Sequence, residues 1–136
     1  MSNIEQTLSI IKPDAVERNL ENDIKKIFID KQFKIIKEKK IQIEKSGAEK
    51  FYKVHETKPF YNDLCAYLSS GPIVVMVLEK DNAVIRNREL MGATNPNDAE
   101  EGTIRKKYGI SIDKNSVHGS DSVENAKIEI DFFFKD

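Results

Sequence analysis

The chain has 136 residues, 39% hydrophobic and 33% charged, with 22 basic against 23 acidic side chains and a formal net charge of −1. That length suits one domain with a real core, read here as a single unit over residues 1–136, and the near-neutral charge supplies no global field for nucleic acid or a membrane surface. One cysteine, Cys65, excludes an intrachain disulfide and a thiolate cluster; with no signal-peptide pattern and no apolar run near the ~18 residues of a bilayer span, a cytoplasmic protein is expected.

Gln6 to Ile11 is apolar and β-leaning, and Lys12-Pro13-Asp14 closes it because proline lacks the ladder donor. Leu20, Ile24, Ile27 and Phe28 recur at i, i+4, i+7 and i+8, which predicts an amphipathic helix. Phe33 to Ile43 reads as a half-exposed strand, with Phe33, Ile35, Ile41 and Ile43 on one face and lysines over much of the rest. Ser46 with Glu49 has the form of a capping box and opens a helix carrying Ala48, Phe51, Tyr52 and His55. A short helical piece, Phe60 to Leu68, follows Pro59. Gly71-Pro72 then introduces Ile73 to Leu78, continuously apolar and the best candidate for a central strand.

Asp81 is placed to cap a third helix running to about Met91, with Gly92 to stop it. From Gly92 to Asn115 the residues read as a long loop, which in so small a domain is functional or disordered. Asp121 with Glu124 repeats the capping pattern and predicts a helix ending near Asp131, before apolar Phe132-Phe133-Phe134. If that terminus supplies a last strand, the order is βαββαβ. The expected fold is then an α+β sandwich, a four-stranded antiparallel sheet with helices packed on one face.

The sequence holds two histidines, and His118 sits among Gly119, Ser120 and Asp121. Gly119 removes a side chain that would crowd an approaching group. Glu129, one to two turns into the last helix, could reach one imidazole nitrogen directly or through Ser120. Such a contact would fix the tautomer and leave the other nitrogen nucleophilic. A histidine nucleophile needs an electrophile, and Lys12, Arg88 and Arg105 are the candidate anion ligands, since guanidinium and ammonium donors suit phosphate oxygens. Arg86 is the better candidate for a plain exposed charge. Lys58-Pro59 leaves Phe60 in an exposed stretch, where a ring can stack on a nucleobase or simply pack into the core. Asp14 and Asp121 are candidate metal neighbours, yet no carboxylate cluster has ligand spacing. No glycine-rich phosphate loop is present. Residue-level reading thus reaches histidine-centred phosphate chemistry, with an active-site or a surface role for each group still open.

The run NSVHGSDSVENAKIEIDFFF resembles the active-site signature of nucleoside diphosphate kinases. TLSIIKPDAVER, HETKPFYNDL, SSGPIVVMVLE, and RELMGATNP followed by GTIR extend the resemblance over essentially the whole chain. The resemblance implies a ferredoxin-like core and reversible ping-pong transfer of a γ-phosphate from a nucleoside triphosphate, mainly ATP, to nucleoside diphosphates through a phosphohistidine. It implies that His118 is phosphorylated and oriented by Ser120 and Glu129, and that Lys12, Tyr52 and Asn115 line the catalytic end. His55, Arg88, Thr94 and Arg105 would hold the remaining phosphates, and Phe60 with Leu64 would take the base. It further implies Mg²⁺ carried on the nucleotide phosphates rather than by protein side chains, and a homo-oligomer, hexamer ahead of tetramer. Two positions depart from the pattern. Asn19-Leu20-Glu21-Asn22 stands where relatives carry a glycine-containing segment, and Glu101 stands where proline is common before Gly102-Thr103. The chain ends in the short-tailed manner of bacterial members. A nucleotide-responsive regulator and a histidine phosphocarrier are the alternative readings.

Overall fold

The computed structural model describes residues 4–112 and 114–134. Strand β1 (Ile4–Ile11) leads into α1 (Pro13–Glu17), α2 (Glu21–Asp30) and β2 (Lys34–Ile41). Next come α3 (Lys45–Phe51), α4 (Tyr61–Leu68), β3 (Ile73–Asp81) and α5 (Ala83–Met91). Helix α6 (Ile104–Tyr108), strand β4 (Val117–Gly119) and helix α7 (Val123–Phe134) complete the order, with 3-10 turns at Lys53–His55 and Pro96–Asp98. The strands form one antiparallel sheet in the order β2-β3-β1-β4, the ferredoxin-like arrangement.

The two central strands are apolar on both faces, so both must be covered. Ile11, Val74, Met76 and Leu78 pack against α1, α2, α5 and α6, while Leu8, Ile10, Ile73 and Val75 pack against α3, α4 and α7. Helices therefore lie on both faces rather than one.

Pro13 ends β1 and also starts α1, because its fixed φ suits a first helical turn. Asn19 sits between α1 and α2 at φ +59, a left-handed conformation that asparagine tolerates where glycine is usual. In β2 the register shifts between Ile35 and Lys37. The irregularity reverses the side-chain alternation, so Phe33 and Ile35 join the α2 side while Ile41 and Ile43 join the opposite one. Those four residues do not share a face.

The helix starts fall one or two positions from the capping signals in the sequence, because Ser, Asp and Glu recur at neighbouring positions. Glu44, not Ser46, precedes α3, and Asn82 at φ +54, not Asp81, precedes α5; neither makes a side-chain cap. Ser122 rather than Asp121 caps α7, its Oγ accepting from the Asn125 amide at 3.1 Å. Helix α7 continues through Phe134, since Phe133 is buried against the Phe51 ring. Its end is tied to β2 by Lys39, whose Nζ donates to the Phe133 carbonyl and lies 4.9 Å from the centre of the Phe134 ring. The fourth strand is thus not the chain terminus but β4, the segment carrying His118, paired Ile10 to His118 on β1. Among the described residues no helix is long and apolar enough to cross a membrane.

Candidate active site

His118 belongs to an edge strand rather than a surface turn. Alternation along β4 sends Val117 into the core on the α5 side and His118 to the other face, toward α3 and α7. There Nε2 lies 3.1 Å from Glu129 Oε1. Ser120 Oγ donates to the same oxygen at 2.7 Å and accepts the Leu8 amide at 3.2 Å, so Glu129 acts on the ring directly while Ser120 holds Glu129. An ionised carboxylate only accepts, so it selects the tautomer with the proton on Nε2. That leaves the lone pair on Nδ1, which makes no hydrogen bond among the described residues. The imidazole is 20% exposed and stands edge-on to Phe51, centroids 5.3 Å apart. A cavity of about 110 Å³ opens beside it, with Tyr52, His55, Asp121 and Asn125 among its lining. Burial, and then the Glu129 carboxylate, push the Tyr52 phenol upward, so it stays a proton donor.

Lys12 directly follows β1 and is buried, its Nζ donating to Asn115 Oδ1 at 2.9 Å. The Asn115 amide nitrogen donates to the Thr94 and Ile112 carbonyls at 3.0 and 3.2 Å. Thr94 thus turns its carbonyl inward while the residue itself is exposed.

Arg105 lies on α6, not in a loop. The stretch after Gly92 folds because Thr103 caps α6, its Oγ1 accepting from the Lys106 amide. Arg105 is buried, with Nη1 on the Gly92 carbonyl at 3.0 Å and Nη2 on the Val117 carbonyl at 2.9 Å, one residue from His118. Burial, reinforced by Arg88, lowers its guanidinium to about 10, still protonated at neutral pH. Gly92 makes this approach feasible. Its φ is +86, and a Cβ there would sit 2.6 Å from Thr103 Oγ1. Arg88, Thr94 and Arg105 line a second cavity of about 350 Å³. Neither arginine makes an ion pair among the described residues, since Glu89, which also lines that space, pairs with Arg86 instead. Arg86 is the exposed charge expected, 3.3 Å from Glu89.

Toward the outside, the His55 ring lies 6.3 Å from Tyr52 and 5.8 Å from Phe60. Phe60 is 47% exposed, so it is not a core residue, whereas Leu64 is half-buried against the α4 side of the core. Asp14 is no candidate for a metal, because both its oxygens are engaged by Tyr67, Arg18 and Ser116. Among the described residues no group of three or more His, Cys, Asp or Glu could hold a metal ion.

Sequence reasoning missed two contributors. Phe51 sits one residue before Tyr52, yet nothing in the order of residues says that it meets His118. The sequence offers Gly119 as clearance for an incoming group, and Gly119 does line the His118 cavity. In the structure its missing side chain seats α5 on β4, since a Cβ there would collide with Asn87 Nδ2 and lie 2.6 Å from Met91 Cε.

The nucleoside diphosphate kinase family model matches residues 5–136. The chain is 56% identical over 131 residues to a nucleoside diphosphate kinase of Persephonella marina, covering 96% of this chain and 94% of that protein. It is 58% identical over 131 residues to one from Rhizorhabdus wittichii, with the same coverage. Among solved structures it superposes on the Aquifex aeolicus nucleoside diphosphate kinase with a TM-score of 0.96 at 39% identity, covering 97% and 96% of the two chains.

Proposed function

Given that the chain belongs to the nucleoside diphosphate kinase family, we propose that His118 Nδ1 is the atom that carries the phosphate between nucleotides. The protein is a phosphotransferase acting on nucleoside di- and triphosphates. The single observation behind the assignment is the pairing of His118 Nε2 with Glu129, which leaves Nδ1 unbonded at a cavity.

The Nδ1 lone pair attacks the γ-phosphorus in line, the bond to the β,γ-bridging oxygen breaks, and the nucleoside diphosphate leaves with that electron pair. No base is needed, because Nδ1 carries no proton. The positive charge that develops on the ring faces Glu129, an oriented counter-charge in a partly buried site. A terminal oxygen of a second nucleoside diphosphate then attacks the phosphohistidine and the N–P bond breaks. Lys12, held by Asn115, is the cation we assign to the transferred group, with Asn115 on the sugar. Arg88, Arg105, Thr94 and His55 hold the other phosphates, with Tyr52 beside His118. Phe60 and Leu64 take the base by stacking, which every base accepts.

The reaction as read here uses Mg²⁺ bound to the nucleotide phosphates. Phosphate oxygens are hard ligands of the kind Mg²⁺ prefers, so on this reading the ion arrives on its substrate. Asp121, on the cavity lining, offers a hard oxygen donor. When bound, the ion neutralises phosphate charge.

Exposed Ile29, Ile36, Ile110 and Ile112 give this chain apolar surface to cover. We read the assembly as a hexamer working in the cytoplasm. Light scattering distinguishes six from four copies of the 15.6 kDa chain.

The test is incubation with γ-labelled ATP and Mg²⁺, followed by excess of an unrelated nucleoside diphosphate. An acid-labile phosphoprotein that the diphosphate discharges is expected, and a His118→Ala chain that takes no label. Label that stays put would indicate a phosphocarrier instead. A wild-type chain that takes none would leave only a nucleotide-responsive regulator.

A further inference from the structure

Behind Lys12 lies a buried carboxylate that the phosphate chemistry does not use. The Asp14 side chain is 3% exposed. Its Oδ1 accepts from the Tyr67 hydroxyl; its Oδ2 accepts from Arg18 Nη2 at 3.0 Å and from Ser116 Oγ at 2.9 Å. The Asp14 amide donates back to Tyr67 Oη at 2.9 Å, and Arg18 also reaches the Tyr108 carbonyl at 2.6 Å and Ser116 Oγ at 3.2 Å. One acidic group therefore gathers α1, α4, the end of α6 and the turn ahead of β4.

That turn is strained. Ser116 has φ +75, and the Val117 amide donates to the Asn115 carbonyl at 2.9 Å across it. A three-residue turn of that hand is rare for any residue with a side chain. It is fully buried, so solvent does not shape it. Its position explains why strain would be kept. Asn115 before it accepts from Lys12 Nζ, the Ser116 carbonyl accepts the Lys12 amide at 2.8 Å, and His118 follows two residues later. A relaxed Ser116 would redirect the carbonyl that holds Lys12 and turn Asn115 away from its amine.

We propose that Asp14 is a positioning residue, whose hydrogen bond to Ser116 holds the left-handed turn that sets Lys12 and Asn115 against each other beside His118. The proposal deepens the phosphohistidine reading and rests on it.

The test separates loss of the clamp from loss of the strain that the clamp opposes. Ser116→Ala and Ser116→Gly both remove the hydroxyl that Asp14 holds, but only glycine adopts this turn without cost. Single-turnover labelling of His118 from saturating ATP is the readout, with thermal unfolding to confirm the fold. S116A is expected to label on the order of tenfold or more slowly, a geometric misplacement cost, while S116G keeps most of the rate. D14A is expected to slow like S116A, and adding S116G to D14A to restore several-fold of the loss. Should D14A fail to fold, the serine pair decides alone. Equal rates for S116A and S116G, or a folded D14A chain that labels at the wild-type rate, overturn the proposal. Failure of the parent reading looks different: the wild type itself takes no label, and both fall.

Discussion

His118 is fixed from several sides: Nε2 by Glu129, Glu129 by Ser120, Ser120 by the Leu8 amide, and the ring edge by Phe51. Phe60, on the outer side of His55, is 47% exposed and among the described residues has only His55 as a ring neighbour. The difference follows from what each end must tolerate. In-line attack on phosphorus needs bonding geometry, and small displacements cost large factors in rate. Stacking on a base survives lateral shifts and does not read hydrogen-bonding edges. On the proposed reading, order is concentrated where the bond would be made, and the end assigned to the base is left plain.

The largest way to break this contrast is Glu129→Gln. It keeps the size of the side chain but removes the charge facing the ring, and should slow phosphohistidine formation about a hundredfold, the scale seen when an oriented stabiliser of developing charge is lost. Single-turnover labelling and steady-state KM together decide it. A change confined to KM would mean that Glu129 serves binding, and that the nucleophile end is no more exacting than the base end.

Phe60→Ala should do the reverse at smaller scale. We expect KM to rise about fivefold, near the lower end of the ~1–3 kcal/mol per stacked base, with kcat nearly unchanged. The rise should be similar for purine and pyrimidine diphosphates. A large loss for one base alone would show that this end discriminates.

The smallest effect is in alkaline stability, and it belongs to the ordered end. Tyr52 and Tyr67 both have phenols raised above their ordinary value of 10.0, chiefly by burial, with Glu129 adding at Tyr52 and the Asp14 hydrogen bond at Tyr67. The unfolded chain therefore loses these protons first. Stability from this source is full below 10 and declines as pH rises above it. The denaturant midpoint should fall above pH 10, and less steeply in Tyr52→Phe. Equal slopes in both proteins would count against the burial argument.

Much of the site was legible because its members lie in short contiguous strings. His118, Gly119 and Ser120 are adjacent, Glu129 follows at helical distance, and Lys12 stands where a strand must end. What stayed hidden depends on short elements or on long separations. Strand β4 has three residues and α6 five, too few for alternation or helical period to register. Arg105 consequently read as a loop residue, although two carbonyl bonds hold it in the core. The β2 irregularity inverts a face without changing the composition of the strand. The Asp14 cluster joins residues 53 and 102 positions apart, a meeting that only the folded chain discloses.

Helix α7 can finally be considered as a length. Its twelve residues span about 18 Å, slightly more than the roughly 14 Å that separates the outer strands of a four-stranded sheet. It begins beside the edge that carries His118 and ends under the Lys39 tie on the opposite edge. It behaves as a crossbeam with Glu129 near mid-span. Lengthening or shortening that beam by one turn would force a choice between the lysine anchor at one end and the carboxylate's place under the imidazole at the other.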